Sequence, residues 1–230
     1  MKILAVDTSS KICTVCILED ENVILEKHTD DEKTHSQNLM PLIDEVFKET
    51  DLSLDNIDLL ACSQGPGSFT GIRIGLATIK AFADSKNIPT IGVTSLESLA
   101  YNIQKTGLIV SLIDAKNENV YYSMFCNNGS KYTQIGDYKS DTIHNILDEL
   151  LIYDDKLLFV GDASKIYHDE IQKYITNCEF ATDEQNVQTS ISIGKSAYAK
   201  YKKGLYGDSN SLLPIYLKKS QAERALDGEK

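Results

Sequence analysis

Two aspartates and a glycine-rich loop are the places in this chain where residue type and spacing could do chemistry. Asp7 ends the apolar run KILAVD and Asp114 ends LIVSLID, so each carboxylate stands where a strand gives way to a turn. In a duplicated nucleotide-binding fold such positions hold carboxylates that carry a hydrated magnesium ion near phosphates. An aspartate at a strand end equally caps the turn that follows with its own side chain. Capping is the favoured role for Asp114, and both roles stay open for Asp7. The loop holds Gly65, Pro66, Gly67, Ser68, Thr70 and Gly71, between a buried strand over 58–64 and a helix over 70–84. Glycines at such a junction let backbone amides approach an anion at the helix N-terminus. The phosphate-loop pattern G-x-x-x-x-G-K-[ST] fails, because Ile72 and not lysine follows Gly71. The dinucleotide fingerprint fails as well, since Gly65, Gly67 and Gly71 are wrongly spaced and do not follow the first strand. A tight structural turn is expected and no cofactor is predicted. Asp7, Ser68, Thr70 and Asp114 are the candidates were a nucleotide to bind.

The other reactive side chains offer less. The four histidines, His28, His35, His144 and His168, have no second histidine within four residues, which removes a helical zinc pair. No G-x-S-x-G or H-E-x-x-H segment occurs, and nothing points to nucleophilic catalysis. Five cysteines, odd in number and scattered, are no disulfide framework. Cys13 and Cys16 lie in ICTVCIL, whose alternation sends residues three apart to opposite faces, so they are not expected to share a metal. A net charge of -11 and a pI near 4.8 argue against the chain gripping nucleic acid by itself, since lysine and arginine supply most phosphate affinity. The dense basic patch in the sequence is Lys218, Lys219 and Arg224. No apolar run reaches membrane-spanning length, and the one after Met1 and Lys2 ends at Asp7, too short for a signal peptide. A cytoplasmic protein is expected.

The elements that must position these residues repeat. Three strands, KILAVD, ICTVCIL and VILEKHT, precede a helix over 35–50, a strand over 58–64 and the helix over 70–84, then a short strand IPTIGV and a helix opened by Ser95. The order strand, strand, strand, helix, strand, helix starts again at LIVSLID, continuing through NVYYSMF, YTQIGDY, a helix over 141–153, KLLFVG and a helix over 164–174. A brief CEFA strand and a helix over 190–203 complete it. This is a duplicated α/β unit, with lobes over 1–104 and 105–230. In the tail, LLPIYL should dock as an extended segment with Pro214 barring a central strand position, and DGEK should be disordered. The helix over 35–50 has an apolar arc of roughly 160°, wider than a one-sided surface helix needs. The helix over 70–84 has one apolar face of Ile72, Leu76, Ile79 and Ala83 and a second of Ile74, Ala77 and Ala81. Burial on both sides follows, by the chain's own core or by a partner.

MKILAVDTSS, HSQNLMPLI, SQGPGSFTGIRIGLATIKAFA, GVTSLESLA, DAKNENVYYSMF and PIYLKKSQAE together resemble the TsaB family, formerly YeaZ, over Met1 to Glu223. The resemblance implies an actin, hexokinase and Hsp70-like (ASKHA) fold of two RNase H-like lobes. It implies a non-catalytic subunit of the bacterial machinery that forms N6-threonylcarbamoyladenosine at position 37 of tRNAs reading codons that begin with adenine. Its partners would be the catalytic subunit TsaD and the ATPase TsaE, with tRNA met only indirectly through the complex, and no membrane. TsaD binds metal through two histidines in a V-N-H-x-x-x-H segment; the matching positions here are Ser95 and Leu99, poor metal ligands. Pairing in the family uses the first two helices, which implies an interface of His35, Leu39, Met40, Leu42, Val46, Arg73, Ile74, Ala77 and Ala81. Such a surface would predict a homodimer when TsaD is absent. The rival expectation is a small ATP-dependent phosphotransferase of the same fold, built on Asp7, the loop at Ser68 and Asp114. A metallopeptidase is disfavoured by the absence of ligand pairs.

Overall fold

The computed structural model describes residues 1–29 and 34–218. Lys219, Arg224 and the terminal DGEK lie outside the described residues. The first half runs β1 (Lys2–Asp7), β2 (Cys13–Glu19), β3 (Asn22–Thr29), α1 (His35–Thr50), β4 (Leu59–Ser63), α2 (Phe69–Lys86), β5 (Thr90–Val93) and α3 (Ser95–Tyr101). The second runs β6 (Gly107–Asp114), β7 (Asn119–Asn127), β8 (Tyr132–Thr142), α4 (Ile143–Leu150), β9 (Leu157–Val160), α5 (Asp162–Ile166), α6 (His168–Tyr174), β10 (Cys178–Phe180) and α7 (Ser190–Tyr201). The sheets have matching orders, β3-β2-β1-β4-β5 and β8-β7-β6-β9-β10. In each, an antiparallel meander of three strands is extended by two strands parallel to its first member. The duplicated α/β architecture expected from the order of elements is the one observed.

Both faces of both sheets are covered, which is why the inner strands read as nearly continuous apolar runs. One face of the first sheet packs Leu4, Val6, Val15 and Ile17 against Leu39, Leu42, Ile43 and Val46 of α1 and Ile72, Leu76 and Ile79 of α2. Its other face packs Ile3, Ala5 and Leu18 against Ile193 and Ala197 of α7. The second sheet buries one face under α4, α5 and α6 and the other under Leu96, Leu99 and Ala100 of α3. The closing helices are thus exchanged: α3, from the first half, lies on the second sheet, and α7, from the second half, lies on the first. Each full burial of a Leu, Ile or Val side chain contributes about 1.5–3 kcal/mol, so the exchange ties the halves together. Cys13 and Cys16 fall in clusters on opposite faces of the first sheet, as the alternation of β2 requires.

Several element ends differ from the sequence reading. Thr94, not Ser95, caps α3, accepting the amide of Glu97 at 3.0 Å. The helix expected over 164–174 is two short helices meeting at Tyr167, whose backbone leaves the helical region. The helix expected over 141–153 shortens to Ile143–Leu150, because β8 extends through Thr142, and Thr142 caps the helix. The tail docks extended as expected: Leu213 O accepts Gln64 Nε2 at 2.7 Å and Ile215 N donates to Gln64 O at 2.8 Å.

The larger correction concerns α1. Leu39, Leu42 and Val46, expected at a partner surface, are 1%, 4% and 0% exposed and belong to this chain's own core. Most of the broad arc counted on the helical wheel is consumed by the sheet below α1 and by α2 beside it, and Met40 is the member left exposed.

Candidate functional site

A cleft of about 660 Å³ opens where the two halves face one another, lined by Ser10, His35 and Ser68 from the first and Asp114, Asp162 and Gln188 from the second. The fold therefore brings Ser68 and Asp114 to one place, with Asp7 buried beneath the Thr8–Ser10 turn. Thr70 stands exposed on the first turn of α2 and does not line the cleft.

Asp7 is 1% exposed. Its Oδ1 accepts the amide of Ser9 at 2.7 Å, and among the described residues no protein group bonds Oδ2. Burial pushes its carboxyl above the ordinary carboxylate range, opposed by the Ser9 hydrogen bonds and by nearby His35. The glycine loop forms the roof. A Cβ on Gly71 would lie 1.9 Å from Thr8 O, one on Gly67 2.3 Å from Ser9 O, and one on Gly75 2.5 Å from Thr8 Oγ1. Thr8 Oγ1 donates to Gly71 O at 2.7 Å, and Ser68 N donates to Ser9 O at 2.7 Å. These glycines let α2 sit directly on the β1–β2 turn. The loop amides are also spent within the protein, with Gly71 N donating to Ser68 Oγ at 3.2 Å. A phosphate cradle needs free amides and open space above the glycines; neither is found at Ser68 or Gly71.

Asp114 repeats the Asp7 turn in the second half and differs in its surroundings. Its Oδ1 accepts Lys116 N at 2.9 Å, and its Oδ2 pairs with Lys116 Nζ at 2.6 Å. This is the capping role favoured from sequence. Asp162 Oδ1 accepts Asp114 N at 2.9 Å, and burial raises the Asp162 carboxyl, with the Asp114 charge adding to the effect. Three consecutive residues, Lys116, Asn117 and Glu118, hold φ of 64°, 54° and 61°. That conformation costs roughly 1–2 kcal/mol for each ordinary residue. It is held by Ala115 N donating to Asn119 O at 2.9 Å and Asn119 Nδ2 to Asn117 O at 2.8 Å. Asp162 is not among the residues singled out from sequence, because the helix expected there begins at 164 whereas α5 begins at Asp162; the available signal is an aspartate directly after the strand KLLFVG.

Under the first turn, Ser95 Oγ bonds both Ser63 Oγ at 2.9 Å and Ser9 Oγ at 3.0 Å. Freed from capping by Thr94, Ser95 is wholly buried in this hydroxyl chain, and Leu99 is buried against the second sheet. Neither side chain offers a nitrogen or an anionic oxygen to a metal, and the described residues hold no cluster of three or more His, Cys, Asp or Glu arranged for one. Nearby, Glu97 of α3 accepts from Ser196 at 2.7 Å and Lys200 at 2.6 Å, an ion pair joining the exchanged helices.

The TsaB tRNA threonylcarbamoyladenosine biosynthesis protein of Bacillus subtilis is 29% identical over 97% of this chain and 96% of its own length. That of Escherichia coli K12 is 33% identical over 54% of this chain and 55% of its own. A family model described as TsaD, tRNA N6-adenosine threonylcarbamoyltransferase, matches residues 24–226. The chain belongs to that family, in its TsaB (YeaZ) group. A Pseudomonas aeruginosa crystal structure of an uncharacterized protein with similarity to peptidase YEAZ matches with a TM-score of 0.82 at 21% identity, covering 94% of this chain and 99% of that one. A ROK hexokinase from Thermus thermophilus matches with 0.54 at 8% identity, covering 89% and 100%. At those identities the two structures speak for the fold alone, and the fold is the actin and hexokinase type expected from sequence.

In this TsaB-group chain the outer face of α1 and α2 differs from the core side. Met40 is 49% exposed, Ala77 and Ala81 are exposed, and Ile74 is half-buried. Phe47, Leu52, Leu54 and Phe82 line a shallow groove beside Met40. Arg73 is exposed, with its Nε on Tyr216 Oη at 2.9 Å and its guanidinium 4.4 Å above the Phe69 ring. His35 is not on this face. Its Nε2 bonds Ser10 O at 2.8 Å, because the first position of α1 points back at the β1–β2 turn. Among the described residues no helix is long and apolar enough to cross a membrane.

Proposed function

We propose that this chain is a non-catalytic subunit of the complex that makes threonylcarbamoyladenosine in tRNA, acting in the cytoplasm by holding the catalytic subunit TsaD, with TsaE joining the pair. The observation that carries the reading is the outer face of α2, where Ile74, Ala77 and Ala81 leave an apolar strip of small side chains beside exposed Met40. Small residues let a second helix approach closely, and a face exposed in the single chain is one a partner can cover. Group membership and the uncharged side chains at Ser95 and Leu99 support a role apart from the chemistry. The phosphotransferase reading draws its support from Asp114 and Asp162 at one cleft; the burial of Asp7 beneath the turn and the engaged amides at Ser68 and Gly71 weigh against it.

Ala77→Glu tests the proposal. Position 77 is solvent-exposed, so the substitution should change the stability of the isolated chain by less than about 0.5 kcal/mol. Buried against a partner helix, the unpaired carboxylate should abolish pairing. Cells depleted of the protein should lose threonylcarbamoyladenosine from their tRNA nucleosides by mass spectrometry, with recovery on the native gene and none on Ala77→Glu. Co-elution of folded Ala77→Glu with TsaD would contradict the placement of the interface, and unchanged modification in depleted cells would contradict the function.

A further inference from the structure

Four lysines line one groove of about 800 Å³: Lys195 in α7, Lys202 and Lys203 just after it, and Lys131 in the turn between β7 and β8. Many lysines elsewhere are matched with carboxylates, as Lys105 and Lys156 are with Glu179 and Lys200 is with Glu97, and those among the described residues that are not, Lys11, Lys80 and Lys173, do not share a groove with one another. None of these four has a carboxylate partner among the described residues, and Glu21 is the acidic side chain of the lining. Lysines at a helix C-terminus complement the helix dipole, which accounts for Lys202 and Lys203. It does not account for Lys195 in the body of α7, nor for Lys131, which the second sheet delivers to the same groove. Lys195 and Lys202 are seven residues apart, so they share one helix face at a spacing of about 10 Å. The cluster is invisible in the sequence, where the dense basic run lies at the C-terminus.

We infer that this groove binds the phosphate backbone of a folded RNA, and that the chain touches the tRNA itself rather than only through partners. The cluster is all lysine, point charges suited to phosphate, and has no arginine fork of the kind that pairs carboxylates in two-point fashion. The lining carries no aliphatic side chain larger than Ala199, and a concave surface does not lie flat on a bilayer. Asn22, Gln104 and Ser130 add uncharged hydrogen-bonding groups, and Tyr101 and Tyr132, stacked with centroids 4.1 Å apart, wall one side. A net charge of -11 repels RNA from the rest of the surface and so confines contact to this groove. The choice of tRNA rests on the function proposed above; the phosphate chemistry of the groove does not.

The test uses the full chain, a labelled unmodified tRNA transcript and an unrelated folded RNA, read by fluorescence anisotropy. Four phosphate contacts predict a weakening of about 50- to 150-fold between 50 and 200 mM salt. Lys131→Glu with Lys202→Glu, both at exposed positions, should lower the salt slope by about 2. In differential acetylation, RNA should protect Lys131, Lys195, Lys202 and Lys203 and leave Lys80 and Lys173 unprotected. An unchanged salt slope in the double variant, no protection of the four lysines, or binding to phosphatidylglycerol vesicles in place of RNA would each overturn the inference. If both RNAs bind through the groove while depletion leaves threonylcarbamoyladenosine intact, the groove stands and the proposed function falls. Loss of the modification with no protection of the lysines is the reverse result.

Discussion

The turns after β1 and β6 begin with the same bond and end in different chemistry. In both, an aspartate at the strand end accepts the amide two residues on, Ser9 for Asp7 and Lys116 for Asp114. Above Asp7 lie five residues between β4 and α2, and Gly67 among them, with Gly71 and Gly75 in α2 itself, seats the helix on the turn and seals the carboxylate from solvent. Above Asp114 only Gly161 separates β9 from α5, and the helix delivers Asp162 into the cleft where the other half has Ser68. One duplicated unit has thus become a close-packed turn in the first half and a charged, solvent-facing one in the second. The first is coupled to the helix whose outer face is proposed to meet a partner. Packing of that helix accounts for the glycines at 67, 71 and 75.

The strongest way to break this contrast is Gly71→Ala. Alanine is intrinsically better than glycine in a helix by about 1 kcal/mol. Its Cβ, however, would sit 1.9 Å from a backbone oxygen of Thr8, which cannot rotate away. The clash should win, and denaturant unfolding should show a loss of about 3 kcal/mol. A neutral or stabilising result would mean that α2 is not seated on the turn as described.

A smaller effect, separated by its pH dependence, comes from Asp7→Asn. Burial holds the folded Asp7 carboxyl above its unfolded value. Between the two values the folded state binds more protons, so native stability falls as pH rises from the ordinary carboxylate range through the raised value, and is level above it. Each pKa unit of the shift costs about 1.4 kcal/mol at neutral pH. Asparagine retains an oxygen for Ser9 N and cannot ionise. The stability difference between variant and native chain should therefore move in the variant's favour as pH rises across that window. Parallel stability curves for the two proteins would show that the Asp7 carboxylate is solvated after all.

The repeat of elements, the strand-end aspartates and the cap at Asp114 were legible because each is local: alternation in β2, apolar runs in β1 and β6, an aspartate beside a turn. What could not be read depends on approach between distant segments. Gly67, Gly71 and Gly75 declare close packing only once Thr8 and Ser9 are placed against them. Leu39, Leu42 and Val46 share a helical wheel with Met40, and periodicity does not say which side of a broad arc the sheet takes. Ser95 looked like a cap because serine commonly is one; Thr94, one residue earlier, took the bond and left Ser95 for the core. The exchange of α3 and α7 between sheets has no local signal at all. Lys131 and Lys195 meet only through that exchange.

Asp114→Asn probes the other side of the comparison and should have the smallest effect. The pair with Lys116 is short, at 2.6 Å, and the Asp114 side chain is only 8% exposed, but Lys116 is 83% exposed and reaches it from the solvent side, so water still screens the attraction. Asparagine keeps an oxygen for Lys116 N and loses only the ionic part, about 0.5 kcal/mol or less at neutral pH. Removing the negative charge also relieves Asp162, whose raised carboxyl owes part of its shift to Asp114, and this offsets the loss further. Thermal unfolding of Asp114→Asn at low and high salt should give nearly coincident midpoints with the native chain. A loss as large as that expected for Gly71→Ala would mean that the left-handed run at Lys116, Asn117 and Glu118 depends on the carboxylate. The two strand-end turns would then carry comparable structural weight by different means, one through packing and one through charge.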